Sequence, residues 1–170
     1  MNTQHHFILH CQQCANEYQA MQPLYRCPVC SGRLWVRYPH PVSFDKTVVS
    51  SPGMWRHATH LPLVHTEHIV SLGEGDTPLV ELTQENRRVF VKNESINPTG
   101  TYKDRPASLA VSRALELGAP GVTVASDGNT APAVAAYAAK AGLDCVGFMS
   151  AETPIYRYTQ AAAFGARIML

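Results

Sequence analysis

Asn97-Pro98-Thr99-Gly100-Thr101-Tyr102-Lys103-Asp104-Arg105 reads as a tight turn opening onto a helix. Asn-Pro and Thr-Gly are turn formers. Asp104 suits a helix start, and Pro106 is tolerated in a first turn because its missing N–H would be unpaired there. From Ala107 onward Leu109, Ala110, Ala114, Leu115 and Leu117 fall mostly on one helical face, and Gly118 ends the run. Lys103 therefore sits at the mouth of a helix, beside an aromatic and close to Arg105. A lone lysine is ordinarily a solvated surface charge. An amine at a positive helix terminus next to a second cation is instead the setting of a nucleophile.

Outward from this stretch the pattern is regular. Strands are predicted at Leu79–Leu82, Arg88–Lys92, Val122–Ala125, Asp144–Met149 and from Arg167. Helices are predicted at Asp104–Leu117, Ala131–Ala141 and Pro154–Phe164. Such alternation implies βαβ units, a parallel sheet and the α/β class. In an open parallel sheet the loops at the carboxyl ends of the strands form the ligand crevice. Ser126-Asp127-Gly128-Asn129-Thr130 is such a loop, and it opens a helix whose N–H groups can receive an anion. Its plainer reading is a helix cap made by Asp127 or Thr130.

Upstream, Cys11-x-x-Cys14 and Cys27-x-x-Cys30 are separated by twelve residues. That spacing suits a tetrahedral structural zinc site of two knuckles, a zinc ribbon over 1–38. Two disulfides or a redox pair are the rival readings. His10 adjoins Cys11, but four thiols already fill the shell. Cys145 lies in an apolar run and reads as a buried core thiol. All eight histidines precede residue 69, and His40, His57, His60, His65 and His68 show no ligand or triad spacing. Residues 39–78 form an irregular connector with Pro39, Pro41, Pro52 and Pro62. Phe44, Met54, Trp55 and Leu63 anchor it to the body, with a short helix around Met54–Arg56. The remaining unit is 79–170.

Composition sets the outer bounds. The chain of 170 residues is 45% apolar with a net charge of +1. That is enough for a core and points to neither nucleic acid nor an anionic membrane. No apolar run reaches membrane-spanning length, and the start is polar, so a cytoplasmic protein is expected.

The run Asn97–Arg105 resembles the lysine signature of the fold type II pyridoxal-phosphate enzymes, which include threonine synthase, the threonine and serine dehydratases and the cysteine synthases. The resemblance implies that Lys103 holds pyridoxal 5'-phosphate as a Schiff base and removes the substrate's α-proton. Leu72-Gly73-Glu74-Gly75-Asp76-Thr77-Pro78-Leu79 is similar to an element typical of the threonine synthase branch. Ser126–Thr130 resembles the family loop that grips the substrate carboxylate, with Asn129 bonding to the cofactor's ring hydroxyl oxygen. The implied reaction is conversion of O-phospho-L-homoserine and water to L-threonine and phosphate. An ammonia-lyase acting on threonine or serine is the alternative within enzymes, and a zinc-binding remnant without catalysis is the alternative outside them. A homodimer and a small amino-acid substrate are implied likewise.

Thr101 and Tyr102 depart mildly from the pattern, and Pro106 is a departure that bears on the helix start. Asp127 departs more sharply, since a carboxylate there would repel a substrate carboxylate unless turned away or neutralised. The resemblance covers only the first part of such an enzyme, without the glycine-rich phosphate loop, so a fragment incomplete at the C-terminus is expected.

Overall fold

Three parallel strands carry the C-terminal half of the protein. In the computed structural model, which describes residues 6–40, 51–85 and 87–170, β6 (Gly121–Ala125), β7 (Asp144–Phe148) and β8 (Arg167–Met169) lie in that order. Gly121 pairs with Asp144 and Ala125 with Phe148, while Val146 pairs with Arg167 and Phe148 with Met169. The connections are α2 (Thr130–Ala141) and α3 (Ile155–Ala163). Parallel neighbours need such crossovers, because a short turn cannot return the chain to the same end. The expected mixed α/β class with a parallel sheet is therefore present. Pro41 and Phe44 lie outside the described residues.

Small side chains let α2 approach two neighbours at once. Ala131, Ala135 and Ala138 pack with Cys145, Met149, Ala161 and Ala166 over Val122, Val124 and Ile168 of the sheet. Ala133, Ala136 and Tyr137 face Ala107 and Val111 of α1 (Asp104–Glu116), with Val70 beside them. Cys145 is buried in the first cluster as expected, and burial pushes its thiol up.

The strands upstream of α1 do not join this sheet. β4 (Leu79–Gln84) and β5 (Arg87–Lys92) form an antiparallel hairpin of their own, from Leu79 opposite Lys92 to Gln84 opposite Arg87. The alternation expected from sequence therefore begins only at α1. The physical reason is the two-residue link at 85–86, which permits antiparallel pairing alone.

The first three strands, β1 (Ile8–Cys11), β2 (Glu17–Gln19) and β3 (Leu34–Arg37), form an antiparallel sheet in the order β2-β1-β3. Arg113 of α1 clamps it. Its guanidinium lies 5.4 Å from the ring centroid of the buried Phe7 and donates to the carbonyl oxygen of Ala20 and to Glu116. Glu116 in turn accepts from the backbone N–H groups of Val64 and His65. The far end of α1 is thus tied to both preceding segments.

The intervening chain packs through a 3-10 helix, Gly53–His60, which contains the turn expected at Met54–Arg56. Trp55, Ala58 and Leu63 are buried with Leu109 of α1 against them.

Candidate functional site

The Asn97–Arg105 segment folds back on the first residue of α1. Asp104 is fully buried, and its carboxyl oxygens accept from the N–H of Thr99 at 3.2 and 3.1 Å and from its hydroxyl at 2.8 Å. Asp104 starts the helix as expected, but α1 has no side-chain cap. The carboxyl group holds the preceding loop instead. Lys103 is half-buried directly before α1, with its N–H on the Thr101 hydroxyl at 3.0 Å. Its Nζ stands 4.8 Å from the Tyr102 ring centroid, a cation–π approach.

Arg105 is not the unopposed second cation that the sequence suggests. Its Nε and Nη2 reach the two oxygens of Glu94 at 2.7 Å each, and Nη2 also reaches the Thr77 hydroxyl at 3.2 Å. Glu94 further accepts from Thr77 at 2.7 Å and from Asn97 Nδ2 at 2.9 Å. The Arg105 guanidinium, helped by these donors, holds the Glu94 carboxyl down at about 2.

The Leu72–Leu79 stretch is wired to this loop residue by residue. The Gly75 N–H donates to Asn97 Oδ1 at 3.1 Å, and Thr77 sits in the Glu94–Arg105 pair. Glu74 is fully buried. It accepts from Trp55 Nε1 at 2.7 Å, the Ser71 hydroxyl at 3.1 Å, the Leu72 N–H at 3.0 Å and the Tyr137 hydroxyl at 2.8 Å. Burial, and then the bond to Glu74, push the Tyr137 phenol far up, so it acts as a donor. Trp55 Nε1 also reaches Ser108 of α1 at 2.9 Å. Ser108 and Ser112, one helical turn apart, bond the carbonyl and N–H of Val70 at 2.7 and 2.8 Å.

Gly53 and Gly75 cross backbone to backbone. Their φ values are +64° and +103°, and the Met54 N–H donates to the Glu74 carbonyl at 3.0 Å. A β-carbon on Gly53 would collide with that carbonyl oxygen, and one on Gly75 with the Met54 nitrogen.

The Ser126–Thr130 loop leaves the carboxyl end of β6. Ser126 bonds the Phe148 carbonyl at 3.1 Å through its N–H, and its hydroxyl accepts from the Gly128 N–H at 3.1 Å. Asp127 does not cap α2, which has no side-chain cap. Its Oδ1 accepts from the Ser150 N–H at 2.6 Å and the Thr153 hydroxyl at 2.9 Å, and these bonds hold its carboxyl below the usual range. Its Oδ1 is thus engaged with the β7–α3 loop. Asn129 Oδ1 accepts from Arg157 Nη1 at 2.9 Å. A β-carbon on Gly128 would make only ordinary contacts, with Arg157 Nη1 at 3.6 Å and Ser126 Oγ at 3.8 Å.

Chain direction puts the two loops at one end. α1 feeds β6 through residues 117–120, so its N-terminus lies toward the carboxyl end of β6, where α2 begins. Ala107 near the start of α1 and Ala133 near the start of α2 share one buried cluster. Among the described residues no hydrogen bond joins Lys103 directly to Ser126–Thr130. Tyr137, Thr153 and Arg157 escape the sequence reading, and the partners of Trp55 and Glu74 escape it too, because each acts across a long separation that leaves no periodic trace.

The four cysteines of the N-terminal sheet converge. The Sγ atoms of Cys11, Cys14, Cys27 and Cys30 all lie within 4.8 Å of one another, with Cys11–Cys30 and Cys14–Cys27 at 3.5 Å. The two halves repeat one geometry. Ala15 and Ser31 both have φ +59° and bond the carbonyls of Cys11 and Cys27 at 3.0 and 2.8 Å. The Tyr18 hydroxyl lies 3.0 Å from Cys27 Sγ. Burial opposes ionisation of Cys27, but the Tyr18 hydroxyl and the N–H groups of Cys30 and Val29 outweigh it and bring the thiol down to about 6. Tetrahedral ligation at about 2.3 Å per Zn–S bond needs sulfurs about 3.8 Å apart, so the cluster fits a single four-coordinate metal ion.

Comparison with known proteins gives the family. A family model described as pyridoxal-phosphate dependent enzyme matches residues 70–170. A threonine synthase of Methanosarcina acetivorans is 35% identical, over 96% of this chain and 42% of that protein. A threonine synthase of Methanocaldococcus jannaschii is also 35% identical, over 94% of this chain and 42% of that protein. The chain thus spans about two fifths of the length of these curated relatives. Among solved structures, a hydrogen sulfide-producing enzyme of Fusobacterium nucleatum superposes with a TM-score of 0.51 at 37% identity, over 61% of this chain and 32% of that one. With the match running from the Leu72–Leu79 stretch through Lys103 and Ser126–Thr130, the chain belongs to the pyridoxal-phosphate dependent enzymes.

Proposed function

We propose that this chain carries the lysine and the substrate loop of a threonine synthase-type lyase, which converts O-phospho-L-homoserine and water to L-threonine and phosphate. The observation that carries the reading is that Lys103 and Ser126–Thr130 each precede a helix without a side-chain cap, and that the starts of these two helices share one buried cluster. The 35% identity over nearly the whole chain, four-cysteine sheet included, supports the threonine synthase branch. The reading carries with it a structural zinc on Cys11, Cys14, Cys27 and Cys30, a ribbon over 1–38, a connector over 39–78 and a catalytic unit from 79. It also carries a cytoplasmic setting and a homodimer. No helix among the described residues is long and apolar enough to cross a membrane.

The residues present fit pyridoxal 5'-phosphate at two of its atoms. The half-buried Lys103 amine suits the aldehyde carbon, and Asn129 Nδ2, which donates to no protein group among the described residues, suits the ring hydroxyl oxygen. When bound, the pyridine ring supplies an electron sink. Lys103 then takes the proton from the substrate's α-carbon. The free N–H groups at the start of α2, with Ser126, Gly128 and Thr130, bind the substrate carboxylate. Asp127, held on Ser150 and Thr153, leaves that approach open.

Titrating the full chain with pyridoxal 5'-phosphate tests the reading. A visible absorbance band that is absent in Lys103→Ala supports it, and a flat spectrum in the parent favours a non-catalytic remnant. Phosphate release from O-phospho-L-homoserine supports the threonine synthase reaction, whereas keto-acid release from threonine or serine favours an ammonia-lyase. Metal analysis giving one zinc per chain, lost in Cys27→Ser, supports the ribbon.

A further inference from the structure

Arg157 stands in the first turn of α3 and crosses to the loop before α2. Its Nη1 donates to Asn129 Oδ1 at 2.9 Å. A guanidinium has five N–H donors and no acceptor. The atom of Asn129 facing it must therefore be the carbonyl oxygen, which turns Nδ2 away from Arg157. Nδ2 donates to no protein group among the described residues.

The guanidinium is itself held. It lies 5.4 Å from the Tyr156 ring centroid. The chain entering α3 is pinned by Asp127, whose Oδ1 takes the Ser150 N–H and the Thr153 hydroxyl. Thr153 is buried, its N–H on the Ser150 carbonyl at 2.9 Å, and the Arg157 N–H bonds the Pro154 carbonyl at 2.9 Å. Asp127 and Asn129 are two residues apart, so two ties join the same pair of loops. The first fixes where α3 begins, and the second uses that position to orient an amide.

We propose that Arg157 is a positioning residue that locks the Asn129 carboxamide with Oδ1 toward α3 and Nδ2 toward the crevice, where it donates to an acceptor oxygen of the ligand. The ligand oxygen, the ring hydroxyl of pyridoxal 5'-phosphate, rests on the function proposed above. The orientation of the amide does not. The coupling also gives Asp127 a role, because it anchors the turn from which Arg157 reaches.

The test uses the full chain, isotope-labelled and free of added cofactor, with the Asn129 side-chain carbonyl carbon observed by NMR. That carbon senses whether its oxygen accepts a hydrogen bond. Arg157→Met should move the resonance, while Arg157→Lys, which keeps a donor, should leave it near the parent position. Arg157 is only partly buried, so both variants should fold, which their thermal melts check. Titration with pyridoxal 5'-phosphate should then show Arg157→Met binding about tenfold more weakly, the scale of one misplaced hydrogen bond, with Arg157→Lys close to the parent. A resonance unmoved in Arg157→Met overturns the positioning role. So does a moved resonance with binding equal to the parent. A parent chain that develops no visible band overturns the functional reading alone, and the carbonyl resonance still decides the orientation of the amide.

Discussion

Trp55 Nε1 stands 2.7 Å from Glu74 Oε1, with the indole and the carboxyl group both buried. The other Glu74 oxygen takes three more donors, from Ser71, Leu72 and Tyr137. Four donors converge on two oxygens. Glu74→Ala would strand the buried Tyr137 hydroxyl and leave a cavity where the carboxyl group was, at a cost of about 3 kcal/mol. Glu74→Gln keeps the volume but sets an amide N–H₂ against donors, for about 2 kcal/mol. Trp55→Phe, which removes one donor, should cost less than either. Urea unfolding of the three variants checks the order.

At the Gly53–Gly75 crossing no side chain fits. Both residues have positive φ, and each β-carbon would meet backbone of the other strand of chain. Gly53→Ala and Gly75→Ala should each lose more than about 3 kcal/mol, from the left-handed strain and the displaced Met54–Glu74 hydrogen bond together. Gly128 offers the contrast. Its φ is not positive and the nearest atom is a flexible arginine terminus. Gly128→Ala should melt within a degree or two of the parent, since surface changes of this kind stay within about 0.5 kcal/mol, yet bind pyridoxal 5'-phosphate and substrate more weakly.

Glu94 makes stability depend on acid. Its carboxyl is held at about 2 in the folded chain against an ordinary 4.5. A depressed carboxylate contributes stability that is complete above the unfolded value and is lost as pH falls from about 4.5 toward about 2. Melting temperatures recorded across that window should fall more steeply in the parent than in Glu94→Gln. Equal slopes would show that the pair with Arg105 adds nothing.

Arg113 predicts a separable loss. Arg113→Ala removes the guanidinium from the Phe7 ring, the Ala20 carbonyl and Glu116. The four sulfurs do not involve it, so metal content should stay at the parent value. The melting temperature should drop by several degrees, and limited proteolysis between the N-terminal sheet and α1 should quicken.

Much of the architecture was readable in the residues. The helices and strands from Asp104 onward fall where apolar period and glycine stops put them, because each is decided by its own side chains. The convergence of Cys11, Cys14, Cys27 and Cys30 follows from two short spacings. What could not be read was pairing over distance. Gln84-Glu85-Asn86-Arg87 has no glycine to announce a hairpin. Arg105 read as a free cation because its partner Glu94 lies eleven residues back on a different element. Asp127 read as a cap or an obstacle, whereas its partners Ser150 and Thr153 belong to a loop that only the sheet brings near.

The setting of Lys103 is held from both directions along the chain. Glu74 is reached by Tyr137 across 63 residues, Trp55 reaches Ser108 across 53, and Arg113 reaches Ala20 across 93. Closing such spans is slow compared with forming a local turn. During synthesis the amine therefore leaves the ribosome long before its surroundings can form, since Tyr137 arrives only with α2. A polypeptide halted between 105 and 137 would display the whole Asn97–Arg105 sequence and still lack the shape that gives it meaning.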